Sequence, residues 1–492
     1  FLVLFNSYEF IFVFLPISLF VYFYLNHKRL TAASKSWLVF ASLFFYSWWN
    51  IAYLPLILTS VLFNYAIASA IVEYDKLKKK YFSKKSLLQI GLVFNIGLLV
   101  YFKYADFFIS NTNSLVNTDI GLLHLVLPLA ISFFTLQQIA FLVDSYEGLV
   151  KEKSFLDYTI FVTFFPQLIA GPIVHHKEMM PQFVSMKNKV KNYKNITVGL
   201  FIFSIGLFKK VIIADTFAIW ATAGFDTATT LNLLEAWIVS LSYTFQLYFD
   251  FSGYTDMAIG AALLFNIKLP INFNSPYKAT GVIDFWQRWH ITLSGFITIY
   301  IYTPLVKSFN KLTFHKAMIA TIVTFLIAGL WHGASWMFVI FGGLHGLALV
   351  INNYWKKTKI KMNIILAWFI TFNFVNIAFV FFRANEWDDA TKVLRSMFSL
   401  DNIILPSILE SVLPFLNKFG VEFGWLTQNI QGKSFTFAWL IAGFILVLFF
   451  ENSTKKLNNF KPNIVSSFIF VAVFTISFYK LSGYSEFLYF RF

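Results

Sequence analysis

The chain has 492 residues, 58% hydrophobic and 21% aromatic but only 13% charged, with mean hydropathy +0.67 and a formal net charge of +15. A soluble protein of this length carries about a quarter charged residues, so the composition excludes a soluble enzyme and predicts an all-α polytopic membrane protein. The positive charge sits in short blocks between apolar runs (Lys76 to Lys85, Lys177 to Lys194, Lys356 to Lys361, Lys455 to Lys461), a pattern of cytoplasmic loops and not of a nucleic-acid surface. Cysteine is absent, which removes disulfides, thiolate metal sites and a cysteine acyl-enzyme.

Apolar runs near the length of a membrane span, about twenty residues, lie at 8–26, 54–72, 87–105, 122–143, 197–220, 234–265, 317–332, 334–352, 363–382, 435–451 and 462–480; the run 37–49 is shorter. The first run contains Pro16 and no small-residue cleavage site follows it, so it reads as a retained helix. Residues 161–174 are interrupted by Pro166, Gly171 and Pro172. Such a break predicts a re-entrant segment, buried in protein or facing a watery cavity. The run 234–265 exceeds one straight crossing and carries Asp250 and Asp256, so it must tilt, break or bury those acids. The mixed stretch 383–434 reads as short amphipathic helices at an interface outside the cytoplasm. No polar stretch is long enough for a separate soluble domain, so 1–492 reads as one transmembrane domain. No internal repeat is visible, which argues against an inverted-repeat transporter.

Polar groups in these apolar surroundings carry the functional reading. Asp250 and Tyr254 stand one helical turn apart, either as a satisfied structural acid or as part of a cavity lining. In Asn272 to Ser294, Asp284 opens a helix, Arg288 follows at i+4, and His290 shares a face with Ser294. Trp286 and Trp289 point to an interfacial position. The stretch is a capped interfacial helix or a basic, aromatic mouth for an anionic substrate tail. Ala328 to Gly346 holds His332, His345 and five glycines, which let backbones approach closely or leave room for a ligand. Trp331, Gly333 and Ser335 form a small-residue pocket around His332. The two histidines are thirteen residues apart and converge only if Gly342 and Gly343 break the helix. His175 and His176 read as surface or interfacial residues, and because adjacent side chains on a helix diverge no metal site is expected. Serine-hydrolase elbow, His-x4-Asp and P-loop motifs are all absent. What remains is histidine proton chemistry, sufficient for direct transfer of an activated acyl group to a hydroxyl.

Six stretches resemble the membrane-bound O-acyltransferase family, most closely its alginate and peptidoglycan O-acetyltransferase branch. They are FNSYEFIFVFLP (5–16), FFPQLIAGPIV (164–174), QLYFDFSGYTDMAIG (246–260), NFNSPY (272–277), DFWQRWHITLS (284–294) and GLWHGASW (329–336), followed by LHG (344–346). The resemblance implies a ring of tilted transmembrane helices around a central tunnel, with re-entrant and interfacial helices. It implies His332 as the catalytic histidine and His290 as the second, on the cytoplasmic side. The tunnel and donor-binding candidates are Asp250, Tyr254, Asn274, Asp284, Trp286, Arg288, Trp331, Ser335 and His345. Gln287 and Gly295 stand where the branch usually carries basic residues, which bears on donor or partner docking. The implied activity is O-acetylation of an envelope polysaccharide by a multi-pass protein of the bacterial inner membrane, and the Lys, Asn, Ile and Phe bias of an AT-rich bacterial genome ranks peptidoglycan before alginate. Acetyl-CoA is the expected donor substrate, no cofactor is bound, and a periplasmic serine-hydrolase-like protein is the expected partner. Within the family the alternative is D-alanyl transfer to teichoic acid from a carrier protein. Outside it the alternatives are a small-solute transporter or a scaffold for an envelope complex.

Overall fold

A computed structural model describes residues 4–76, 80–150, 154–400, 403–481 and 487–488. Part of the Lys76 to Lys85 block lies outside the described residues. The chain is helical almost throughout, as a lipid-embedded backbone must be to satisfy its own N–H and C=O groups. Among the described residues seven helical segments are long and apolar enough to cross a membrane: Phe10–His27, Ile51–Val72, Lys84–Val116, Tyr193–Thr227, Phe314–His332, Trp336–Thr358 and Ile364–Arg383. Ile291–Lys307, Ser434–Phe449 and Ile464–Lys480 are shorter apolar helices. The chain is therefore an all-α polytopic membrane protein.

Several expectations resolve in detail. The short run 37–49 is the end of a 19-residue helix, Thr31–Trp49. The long run is one unbroken 32-residue helix, Leu233–Leu264, and it meets its acid problem by burial: Asp250 is 1% and Asp256 5% exposed. The run 122–143 is not one span, because helix begins only at Ile131. Upstream, Asp106 accepts the amides of Leu123 and His124 (2.7 and 2.9 Å) and Asn113 Oδ1 accepts that of Ile120 (3.0 Å). Those side chains take the donors a helix would have used, and Pro128 has no N–H to offer.

The broken stretch behaves as predicted. Helix Phe155–Thr163 ends before Phe164, a four-residue turn Phe165–Leu168 follows, and residues 169–174 run on irregularly, buried in protein. Ser42 Oγ accepts the Phe165 amide (3.1 Å), and Gln167 Nε2 donates to Phe161 O (2.6 Å), so the freed backbone groups are re-satisfied. The 383–434 stretch departs from expectation. It has one amphipathic helix, Trp387–Phe398, and then a parallel strand pair, Ile403–Pro406 with Val421–Gly424, in register Ile403↔Val421. Ile403, Ile404 and Leu405 favour strand, and Pro406 sits where a ladder can end.

The helices sort into two compact units. The first comprises Phe1–Leu207, Tyr254–Ile271 and Leu457–Arg491. Its interior carries an amide network: Asn95 Nδ2 donates to Asn64 Oδ1 (2.6 Å), Gln138 Nε2 to Ser60 Oγ (2.7 Å), and Tyr158 Oη to Gln138 Oε1 (2.5 Å). Interhelical hydrogen bonds of this kind tie helices together where lipid supplies no hydrophobic drive between them. The second unit comprises Phe208–Gly253 and Asn272–Lys456. Within it Phe314–His332 and Trp336–Thr358 form a tight hairpin.

Candidate active site

The hairpin is close because of its glycines. A Cβ on Gly329 would fall 2.3 Å from Phe338 O, and one on Gly342 2.3 Å from Phe325 O. These glycines admit a neighbouring backbone; they do not hollow out a chamber. Gly342 and Gly343 leave the second helix unbroken, and the chain breaks instead across Gly333 to Ser335.

His332 is the last residue of the first arm and is 4% exposed. Its ring lies against Trp331 (centroids 5.0 Å), Phe382 (5.1 Å) and Phe341 (6.1 Å). His290 is completely buried and its backbone is left-handed, φ +43° and ψ 54°. A non-glycine residue held there costs about 1–3 kcal/mol and persists only where its surroundings over-determine it. Here Ile291 N donates to Asn272 O (3.0 Å) and Asn274 N to Arg288 O (2.9 Å), clamping both sides of the kink. Asn272 Oδ1 lies 3.0 Å from His290 Nδ1 and also accepts from Thr292 N (3.2 Å) and Thr292 Oγ1 (2.9 Å). Burial favours the neutral imidazole at His290 and pushes its pKa down to about 3. Trp331 joins the two histidines, its ring lying 6.3 Å from His290 and 5.0 Å from His332.

The other candidates divide. His345 is buried in ring packing, 4.6 Å from Phe341 and 5.2 Å from Phe374, and its Nδ1 accepts from Trp286 Nε1 (3.1 Å). Phe341 touches both His345 and His332, so the two sit in one aromatic cluster without helix breakage. Trp286 and Trp289 are buried in that cluster. Asp284 and Arg288 form the expected pair (2.7 Å), but each side chain is about one-third exposed. Asn274 points outward and its Oδ1 accepts from Asn452 (2.9 Å). Ser335 precedes the second arm, half-buried and without a side-chain capping bond. Asp250 pairs with Lys210 (2.6 Å), which also reaches Asp215 (2.9 Å). Tyr254 belongs to the first unit, stacked on Phe5 (4.8 Å) and edge-on to Phe487 (4.6 Å).

Two functional candidates escaped sequence reasoning. Asn272, not Asn274, is the asparagine that meets a histidine. Lys210 is the cation that answers Asp250, and the signal was present as a lysine inside the apolar run 197–220. His175 and His176 also depart from expectation. His175 caps its helix in extended backbone (φ −102°, ψ 139°), so the adjacent rings converge, with centroids 4.5 Å apart. His176 is buried.

Two buried imidazoles in an aromatic core, one held by an amide, suit proton transfer during acyl transfer. Comparison with known proteins gives the family. A family profile described as MBOAT, membrane-bound O-acyltransferase family, matches residues 19–385, which include both histidine motifs. The chain is 46% identical to a peptidoglycan O-acetyltransferase of Helicobacter pylori over 100% of this chain and 98% of that protein. It is 33% identical to a probable alginate O-acetylase AlgI of Pseudomonas putida, over 99% of this chain and 100% of that one. A teichoic acid D-alanyltransferase of Bacillus subtilis is 28% identical over 54% of this chain and 70% of its own. The chain belongs to the membrane-bound O-acyltransferase family and is an acyltransferase.

Proposed function

We propose that this protein moves acetyl groups from a cytoplasmic thioester, acetyl-CoA, toward the outer face of the bacterial inner membrane for O-acetylation of peptidoglycan. His332 takes the proton of the attacking hydroxyl. The new C–O bond forms as the C–S bond breaks, and the departing thiolate receives a proton. His290, oriented by Asn272, supports the proton balance from the neighbouring position across Trp331. A periplasmic serine-hydrolase-like partner then carries the acetyl group to the polysaccharide. The observation that carries the reading is the pair of buried histidines, His332 and His290, on either side of half-buried Trp331 in a chain that matches O-acetyltransferases from end to end. Peptidoglycan ranks above alginate because the full-length identity is 46% against 33%. D-alanyl transfer ranks lower, since that kinship covers about half of this chain.

The test is His332→Ala in the native host. A lost general base costs 10²–10⁴-fold, about 2.7–5.4 kcal/mol of barrier. Ester-linked acetate on isolated cell wall is expected to fall to background with membrane protein level unchanged. Normal wall acetylation would remove His332 from the chemistry. D-alanine esters that vanish instead of acetate would favour the carrier-protein reaction.

A further inference from the structure

The first unit holds a second gathering of ligating groups. Asp144 stands near the end of helix Ile131–Tyr146, and His175 and His176 stand where helix His176–Val184 begins. Asp144 Oδ2 lies 2.6 Å from His175 Nε2 and 3.2 Å from His176 Nδ1, and the three donor atoms all fall within 4.8 Å of one another. Asp144 is 3% and His176 5% exposed.

Hydrogen bonding alone accounts for only half of this arrangement. The Lys177 amide donates to His175 Nδ1 (3.3 Å), which leaves the ring proton on Nε2, facing Asp144. His176 is different. Neither of its ring nitrogens has a hydrogen-bond partner, the 3.2 Å approach to Asp144 being misaligned for one. A buried imidazole with neither nitrogen satisfied is costly in that form. A divalent ion between that ring and Asp144 would use one nitrogen. An ion bound tetrahedrally at about 2.0–2.2 Å sets its donors roughly 3.3–3.6 Å apart. The His176 contact is already close to that spacing, and the His175 contact reaches it by a movement of under about 1 Å of the more exposed ring. Coordination through His175 Nε2 shifts that ring's proton to Nδ1 and gives up the Lys177 bond, the longest contact in the cluster. Phe141 and Phe161 meet the His176 ring edge-on (5.5 and 6.5 Å) and keep the spot dry.

We propose that Asp144, His175 and His176 bind one divalent transition-metal ion of the zinc class. Two imidazoles and a carboxylate form a borderline nitrogen–oxygen set that favours such an ion over calcium or magnesium. The lysine-rich loop that follows places the cluster on the cytoplasmic side by the charge rule. The ion clamps the end of the proline-broken stretch to helix Ile131–Tyr146, a role independent of the acyl-transfer reading.

The test uses the full chain in detergent, freed of any affinity tag and stripped with chelator. It is equilibrated with zinc chloride, dialysed, and its metal counted by mass spectrometry. About one zinc per chain is expected for the wild type and for His124→Gln, a surface control. Asp144→Asn and His176→Gln are expected to lose it. Equal zinc in wild type and in both variants overturns the proposal, as does a wild type that holds none. Should the variants fail to fold, zinc X-ray absorption of the wild type decides. Two imidazoles in the first coordination sphere support the site, and fewer than two refute it.

Discussion

Gly342 and Gly343 are neighbours on one helix, and the packing assigns them opposite fates. A methyl group on Gly342 would meet Phe325 O at 2.3 Å and Gly329 Cα at 3.1 Å. Both are backbone atoms that cannot rotate away, so the two arms of the hairpin must part by about 1 Å to restore ordinary contact. Overpacking of this kind costs about 1–3 kcal/mol. The parting also reaches the chemistry, because His332 ends one arm and Phe341, on the other, lies against its ring. A displacement near 1 Å at a reacting group costs up to about 10²-fold in rate. A methyl group on Gly343 meets only Leu326 Cδ2, at 3.6 Å, an ordinary contact. Alanine there removes glycine's conformational cost in a helix, a gain of up to about 1 kcal/mol. Gly342→Ala is therefore expected to lower the melting temperature in detergent and to cut wall acetylation about 10- to 100-fold. Gly343→Ala is expected to keep acetylation and melt at or above wild type. Identical behaviour of the two variants would refute the close-packed hairpin as the support of His332.

Asn272 and Asn274 make a second matched pair. Asn272→Ala strips three buried contacts at about 0.5–1.5 kcal/mol each and releases the His290 ring, so both melting temperature and acetylation should drop. Asn274→Ala loses one exposed bond to Asn452 and should cost under about 1 kcal/mol with acetylation retained. Lys210→Met leaves Asp250 without its cation in the interior, a loss of about 3–5 kcal/mol that should appear as poor yield and early melting. The double variant Lys210→Met with Asp250→Leu removes both charges and should recover most of the loss; a double variant as unstable as the single one would show that the pair is not what Lys210 serves.

The architecture was legible because hydropathy is a property of whole segments. Twenty apolar residues in lipid leave the backbone one economical solution, and most of the runs appear as helices within a few residues of their expected ends. Where single side chains compete for backbone amides, the pattern misled. Residues 118–128 are as apolar as a span, yet Asp106 and Asn113 hold their N–H groups out of helical pairing. The tryptophans carry more than one role. In an ordinary membrane protein Trp marks the interface, but in a chain that is 21% aromatic, rings also supply the core, and Trp286 and Trp289 pack among Phe285, Phe379 and His345.

The site shows a finer version of the same limit. Composition and glycine spacing singled out the His332 stretch, and Asp284 with Arg288 paired as their spacing required. Yet NFNS is symmetrical about Phe273, and in an extended stretch residues two apart share a face, so the pattern offers Asn272 and Asn274 alike. The tie is broken from outside, by the left-handed turn at His290 that brings its ring to Asn272. At His175 and His176 the logic inverts. Neighbours on a helix diverge, but moving the helix start by one residue puts His175 in extended backbone, and both rings then meet over one carboxylate. In each case a one-residue question of backbone state, undetermined by the local pattern, decides whether a polar side chain meets a reactive partner or the solvent.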